Sequence, residues 1–258
     1  MRVERLAAGL VGLATVTVMT VANGAAQGRG ATPPSSPRAA APVELTGYWV
    51  SLVTEDWRFR MFTPPKGDFT AVPLNPEGRK AAQMWDPSRD AASGETCKAY
   101  GAGGIMRMPG RLLVTWVGDT TLKVEADAGT QTRTFRFGTA QGTGGDWQGV
   151  SAASWDRSPS AMESGSAGGD GRSSGGSLKV TTTKMRPGYL RRNGVPYSGD
   201  AVITEYYDRF DIPGGDSLLV ISTEVVDPTY LLQPFWTSAH FKKQNDSTGW
   251  NPTPCSAR

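Results

Sequence analysis

The sequence predicts an all-β fold, an antiparallel meander that closes into a barrel and carries one short helix. Between residues 201 and 243, β-branched and aromatic residues alternate with polar ones in three runs separated by Gly, Pro and Asp turns, which is typical of consecutive strands. Four short runs upstream are divided by turn residues; they span 105–108, 111–117, 121–126 and 131–137. All runs together predict about ten or eleven strands, and closing them into a barrel removes edges that would otherwise aggregate.

The remaining strands are predicted on the same grounds, at residues 44–53, 57–63, 147–155 and 177–185. In the run at 57–63, aromatic side chains face one way and the arginines Arg58 and Arg60 face the other. This alternation is typical of a strand that is half-buried or lines a polar interior. Residues 186–199 are interpreted as a long loop, because they contain Pro-Gly and Asn-Gly turns.

One helix is predicted at residues 75–85. Asn75 can cap the helix and Pro76 suits its first position, while Asp86-Pro87 stops it. The following stretch, residues 90–104, is interpreted as irregular.

The N-terminus carries the features of a secretory signal peptide. Arg2 and Arg5 precede an apolar run from residue 6 to residue 22, and small residues suitable for cleavage follow. A membrane anchor is the alternative, although the run is short for a membrane span. After cleavage, the sequence predicts no stable membrane insertion.

Two segments have compositions that cannot bury enough apolar area to offset chain entropy. The first segment, residues 27–43, is rich in Ala, Pro and Ser, and the second, residues 157–176, is rich in Ser and Gly. The predicted organisation is a signal peptide at 1–26, a disordered linker at 27–43, a barrel domain at 44–243 with a disordered insertion at 157–176, and a C-terminal tail at 244–258.

Charge and motif content exclude several classes of function. The formal net charge is +3, from 27 Lys and Arg against 24 Asp and Glu, and no basic run is dense enough for nucleic acid. The single histidine, His240, excludes metal motifs that need two histidines. No phosphate-binding glycine loop joins a strand to a helix. The sequence therefore predicts no nucleic-acid partner, no metal and no cofactor.

The two cysteines, Cys97 and Cys255, are expected to form a disulfide, since an exported chain reaches an oxidising compartment. Such a long closure could stabilise the fold by about 5 kcal/mol at most in the loop-entropy model. The alternative is a pair of free thiols with a redox role, although a C-x-x-C motif is absent from the sequence.

Two carboxylates, Glu205 and Glu224, lie in otherwise apolar strands. If either points inward it must be paired, because an unpaired buried charge costs several kcal/mol, and the planar fork of an arginine is its natural partner. The arginines in aromatic-rich strands are Arg58, Arg60 and Arg136. An interior carboxylate would be a candidate for acid–base catalysis. The alternative is that both carboxylates lie on a solvated outer face.

Tyrosine and tryptophan are more abundant than packing alone requires, which favours a pocket for an apolar or ring-bearing small molecule. The alternative is that these residues fill a wide barrel. His240, on the last strand, is interpreted either as a structural residue or as a catalytic one. The candidate ligand-binding residues are Tyr48, Trp57, Arg58, Arg60, Arg136, Glu205, Tyr207, Glu224 and His240.

Two short motifs resemble those of lipocalins and related calycin barrels. Gly47-Tyr48-Trp49 resembles their G-x-W motif, and Thr204-Glu205-Tyr206 is similar to their T-D-Y motif with Glu in place of Asp. In that family the tryptophan plugs the closed end of the barrel against a basic residue from the last strand, a position that Lys242 or Lys243 would supply here. The resemblance implies a lipocalin-like, calycin-type barrel.

A second resemblance covers residues 177–243. This region is similar to exported bacterial β-barrel proteins that end in a D-P…Y…P…W pattern, here Asp227-Pro228, Tyr230, Pro234 and Trp236. The resemblance implies a periplasmic or secreted domain and brings no established activity.

Three functions are compatible with these features. The first is an exported lipocalin-like protein that binds a small, largely apolar ligand. The second is an acid–base enzyme, similar to a hydratase or isomerase, that uses Glu205 or Glu224 on such a ligand. The third is a structural accessory protein of the cell envelope. A deep cavity lined by carboxylates and aromatic residues would favour the first two, whereas a filled barrel would favour the third.

Overall fold

The computed structural model describes residues 36–139, 141–156 and 176–257. The predicted signal peptide, most of the predicted linker and nearly all of the predicted insertion lie outside these residues. The described chain forms eleven strands: β1 (Gly47–Leu52), β2 (Arg111–Val117), β3 (Thr121–Ala126), β4 (Gln131–Phe137), β5 (Val150–Asp156), β6 (Ser177–Thr183), β7 (Gly188–Arg191), β8 (Val195–Tyr197), β9 (Val202–Asp211), β10 (Ser217–Val226) and β11 (Phe235–Gln244).

Its helices are short. They are α1 (Trp57–Arg60), α2 (Pro76–Gln83) and α3 (Pro87–Ala92), with 3₁₀ turns at Lys98–Tyr100, Ile105–Arg107 and Ala128–Thr130. Within the described ranges, no helix is both long and apolar enough to cross a membrane.

Nine of the strands close into a barrel in the order β1-β11-β10-β9-β6-β5-β4-β3-β2, and β7 and β8 form a separate hairpin. The predicted all-β barrel is therefore confirmed. The prediction that all neighbouring strands run antiparallel is wrong for one pair, because β4 and β5 run parallel. An up-and-down closure with an odd number of strands requires one such pair, so the chain crosses back along the barrel between β4 and β5.

The predicted strands at 111–117, 121–126 and 131–137 match β2, β3 and β4 residue for residue, and the predicted helix corresponds to α2. Four local predictions are wrong. The expected strand at 57–63 contains the helix α1, and the expected strand at 105–108 contains a 3₁₀ turn. The expected loop at 186–199 contains the β7–β8 hairpin, and α3 is an additional helix. Short runs of apolar or alternating residues cannot distinguish the two-residue period of a strand from the 3.6-residue period of a helix. This explains the errors at 57–63 and 105–108.

Side chains fill the barrel. Its inward-facing apolar residues form one cluster that includes Trp49, Val114, Val124, Phe135, Val180, Tyr207, Ile221 and Phe241. Tyr100, Ile105 and Met106, from the segment before β2, pack into the same cluster. A second cluster lies where α2 and the β7–β8 hairpin cover the sheet, and it includes Ala82, Leu190, Val195, Tyr197 and Ile203. The interior is thus a packed core, with both clusters drawn from strands and covering segments.

The first and last strands meet at Trp49. Its indole Nε1 donates to the carbonyl oxygen of Leu45 at 2.8 Å, and Lys243 Nζ lies 4.5 Å from the ring centroid. Lys242, one residue earlier on β11, faces the opposite side and pairs with Asp216 at 2.8 Å. Of the two lysines considered from the sequence, Lys243 therefore contacts the tryptophan, because successive side chains alternate across a strand.

Both ends of the described chain are attached to the barrel. The disulfide between Cys97 and Cys255 is present, with Cα atoms 5.1 Å apart, which confirms the predicted pair. In the tail, Thr253 N donates to the Asp127 carbonyl at 2.9 Å. Residues 36–43, assigned from the sequence to the linker, also contact the barrel, since Trp155 Nε1 donates to the Pro37 carbonyl at 2.7 Å.

Candidate functional site

Glu205 lies inside the barrel, on the face of β9 that also presents Tyr207, and its side chain is 0% exposed. Arg133 on β4 holds it in a two-point contact: Nη1 donates to Oε1 at 2.8 Å, and Nη2 lies 2.7 Å from Oε2. The carboxylate is thus interior and paired with an arginine, as one of the two sequence interpretations requires. The partner is an arginine that sequence reasoning did not single out.

A row of polar side chains crosses four adjacent strands at this level. Arg133 Nη2 also donates to Thr182 Oγ1 on β6 at 3.1 Å. Thr182 is in turn hydrogen-bonded to Ser151 on β5, with the two hydroxyl oxygens 2.8 Å apart. The order β4-β5-β6-β9 places these residues side by side. The ion pair is therefore embedded in a hydrogen-bonded network, as a buried charge requires.

The electrostatics of the cluster keep Arg133 charged. Burial lowers the pKa of Arg133, but the negative charge of Glu205 and its hydrogen bond act in the opposite direction, and the net shift is upward. Burial, followed by the charge of Glu205, raises the pKa of Tyr207 well above its usual value. Both oxygens of Glu205 lie against the guanidinium and its side chain is sealed from solvent. The arrangement is that of a structural ion pair, closed to an incoming substrate.

Glu224 and Arg136 do not join this cluster. On β10, Thr223 and Val225 point inward, so Glu224 points outward, where it lies opposite Trp236 of β11. On β4, Arg133 is buried and Arg136, an odd number of residues away, is exposed. The strand pleat therefore places the two candidate carboxylates on opposite faces of the sheet, which corrects the interpretation of Glu224 and Arg136 as interior residues.

The candidates at 57–60 belong to the helix α1 and not to a strand of the barrel. Trp57 is 58% exposed, and Arg58 pairs with Asp68 at 2.8 Å on the surface. Arg60 is buried, but it contacts Glu55 and donates to the carbonyl of Arg107 at 3.0 Å rather than facing Glu205.

The two other candidates lie on the outer face of β1 and β11. Tyr48 packs edge-on against Trp250, with ring centroids 5.8 Å apart. His240 Nδ1 lies 3.0 Å from Glu55 Oε2, and its Nε2 lies 2.9 Å from Ser238 Oγ. Glu55 thereby brings His240 near Arg60.

A groove of ligand size lies between α2–α3 and the β7–β8 hairpin, with a volume of about 440 Å³. Aromatic and other apolar side chains dominate its walls. These include Met84, Trp85, Pro187, Tyr189, Pro196 and Tyr230. A cavity of this size and lining is typical of sites for small molecules, which commonly occupy about 300–1,000 Å³.

Polar residues form one side of the groove around Asp90, which is buried. Its Oδ2 accepts a hydrogen bond from the Tyr189 hydroxyl at 2.7 Å, and its Oδ1 accepts one from Lys98 Nζ at 2.7 Å. Burial raises the pKa of Tyr189, and the hydrogen bond to Asp90 raises it further. Tyr189 therefore remains a neutral phenol that donates to Asp90, and this network holds its ring in the groove wall.

Two helix-capping residues and one glycine position the elements that form the groove. Asn75 Oδ1 caps α2 by accepting from Gly78 N at 2.8 Å, and Asp86 Oδ1 caps α3 by accepting from Ser88 N at 2.9 Å. Gly194 has a φ of +82°, and a Cβ there would lie 2.6 Å from Trp85 Cδ1. The hairpin turn thus requires glycine at position 194 for two reasons: its backbone conformation and the close approach of Trp85.

Sequence reasoning missed the groove because α2 was the only one of its elements that was predicted: α3 was not expected, and the β7–β8 hairpin was assigned to a loop. Two signals could have found them. Asp86 followed by Pro87 is a helix start, with a capping carboxylate before a first-turn proline, as well as a stop for the preceding helix. The Asn-Gly pair at 193–194, between two short apolar runs, is a hairpin signal.

The described residues therefore present two sites of different chemistry. The interior ion pair is sealed, whereas the outer groove is open and has the volume of a small molecule. Comparisons of the chain with protein-family models, with curated proteins and with solved structures returned no match. Function is accordingly inferred from the geometry and chemistry of these sites.

Proposed function

We propose that the protein is a binding module that holds a small, largely apolar, ring-bearing molecule in the groove between α2–α3 and the β7–β8 hairpin. The observation that carries this proposal is a cavity of about 440 Å³ with aromatic walls, on a barrel whose own interior is packed. The site differs from that of a lipocalin-like calyx, where the ligand would lie inside the barrel.

The lining indicates the chemistry of the ligand. Proline and aromatic rings provide flat apolar surfaces that suit stacking against another ring. Asp90 is buried and already accepts hydrogen bonds from Tyr189 and Lys98. Among the described residues, the exposed Arg89 forms no ion pair, and it lines the groove. A ligand with an apolar ring system and one acceptor oxygen therefore matches the groove best.

We further propose that the protein acts after export, in the periplasm or outside the cell. The predicted leader at 1–26 supports this, as does the disulfide between Cys97 and Cys255, since disulfides persist in oxidising compartments.

Binding is favoured over the two other functions. Acid–base catalysis by Glu205 would require the barrel to open, because its carboxylate is sealed against Arg133. Glu224 lies on the outer face of β10 and does not line the groove. A purely structural role accounts for the packed barrel, but it leaves the aromatic groove without a purpose.

A charge introduced into the groove tests the proposal. Met84 lines the groove and is 63% exposed, so Met84→Glu should leave the fold intact while opposing an apolar ligand. Leu232 is 70% exposed and lies outside the groove, which makes Leu232→Glu the matched control. Binding of the neutral probe N-phenylnaphthylamine, followed by its fluorescence, should weaken about tenfold or more in Met84→Glu and stay unchanged in Leu232→Glu. Equal binding in both variants, or no binding to the wild-type protein, would contradict the proposal.

A further inference from the structure

Four arginines gather where α1, the 3₁₀ turn Ile105–Arg107 and the β7–β8 hairpin meet. They are Arg60, Arg107, Arg191 and Arg192. Three of them are almost completely buried, with Arg60 2%, Arg107 8% and Arg191 4% exposed. Taking a guanidinium out of water costs several kcal/mol unless an anion compensates it.

The arginines of this cluster differ in whether a carboxylate pairs with them. Arg60 is paired with Glu55, and Arg107 Nη2 lies 2.8 Å from Asp56 Oδ2. Arg191 forms no ion pair among the described residues; its Nη1 donates to the Thr70 carbonyl at 2.7 Å. Its guanidinium also lies over the ring of Phe59, 4.0 Å from the centroid. The charge of Arg191 is therefore not directly neutralised by a carboxylate.

Two donors in this cluster are left over. Arg107 Nη1 and Arg191 Nε are buried and have no hydrogen-bond partner among the described residues. Both arginines line a small cavity, together with Phe59, Met108 and Leu190. The volume of this cavity is about 10 Å³, at the lower limit of the roughly 10–15 Å³ that one water molecule needs.

The arginines also repel one another. Burial, followed by the positive charge of Arg107, lowers the pKa of Arg60 to about 10 and that of Arg191 to about 10. For Arg191, the negative charges of Asp56 and Asp68 oppose part of this lowering. A water molecule in the cavity could accept the two unused hydrogen bonds, but it would leave this repulsion in place. An anion would satisfy both the donors and the charge.

We propose that this cavity binds a monovalent anion of the size of chloride, which accepts hydrogen bonds from Arg107 Nη1 and Arg191 Nε. Phosphate and sulfate are larger than chloride, so we expect this small cavity to exclude them. The site lies among residues other than those of the groove, and its occupant would stabilise the packing of α1 against the hairpin.

Bromide replaces chloride in such sites and can be located by its anomalous scattering. Crystals of the wild-type protein prepared in bromide should show an anomalous peak within hydrogen-bonding distance of Arg107 and Arg191. No peak at this cavity, with bromide peaks elsewhere or nowhere, would overturn the proposal.

A solution measurement tests the same site independently. At constant ionic strength, replacing gluconate by chloride should raise the melting temperature, by about 5 °C or more once chloride reaches roughly 100 times its Kd. Sulfate should not reproduce this rise. The control Arg58→Gln, which removes an exposed arginine outside the cavity, should keep the effect, and Arg191→Gln should lose it. Equal melting temperatures of the wild-type protein in chloride and gluconate would overturn the proposal even if Arg191→Gln failed to fold.

Discussion

Replacing Glu205 by Gln should destabilise the protein strongly, because it removes one charge of a sealed pair and leaves the other. Arg133 is 1% exposed, and its contacts to Glu205 at 2.8 and 2.7 Å account for its charge compensation. Breaking a buried pair by removing one partner costs about 3–5 kcal/mol. For a domain of this size that corresponds to a fall in melting temperature of roughly 6–20 °C.

Urea unfolding followed by circular dichroism measures this loss. Glu224→Gln is the matched control: the same substitution, in the next strand of the barrel but on the outer face, should change the free energy of unfolding by less than about 0.5 kcal/mol. The double variant Arg133→Met with Glu205→Leu should recover much of the loss, since it removes both buried charges. A Glu205→Gln protein as stable as the control, or a double variant no better than the single one, would refute this interpretation of the pair.

Three further outcomes are expected. Cys255→Ser should lower the free energy of unfolding by up to about 5 kcal/mol, because the disulfide joins residues 158 apart in sequence; a melt that reductant leaves unchanged would contradict this. Gly194→Ala should cost about 1–3 kcal/mol in chemical unfolding and weaken probe binding, since its φ is +82° and its Cβ would displace Trp85; unaltered binding would argue against this wall of the groove. In an ultraviolet absorbance titration, Tyr189 and Tyr207 should ionise above the usual tyrosine range, because burial raises the pKa of both. A raised pKa means that their contribution to stability is complete below about pH 10 and is lost as the pH rises further, so ionisation of all tyrosines near pH 10 in the folded protein would contradict it.

The barrel could be predicted from the sequence because local signals dominate it. Between residues 111 and 137, alternation and turn residues mark each strand end, and the structure matches the prediction residue by residue. Alternation along β9 also places Glu205 on the same face of the strand as Tyr207, which indicates that Glu205 is buried. Its partner could not be found in this way, since Arg133 faces Glu205 only once the order β4-β5-β6-β9 is known.

The groove could not be predicted from local sequence patterns, for a different physical reason. Its walls come from two segments about a hundred residues apart in the chain, and neither contains a long periodic pattern. Residues 57–63 show another kind of error, because their alternating pattern was assigned to a strand although residues 57–60 form α1. Short segments carry too little periodicity to decide between helix and strand, and tertiary contacts decide instead.

Native mass spectrometry of the protein purified from its own host tests the binding groove most directly. The wild-type protein and Leu232→Glu are expected to carry a small molecule that dissociates on unfolding, and Met84→Glu is expected to be purified without it. Equal occupancy in Met84→Glu, or no bound molecule on the wild-type protein, would contradict the assignment of the groove as a ligand site.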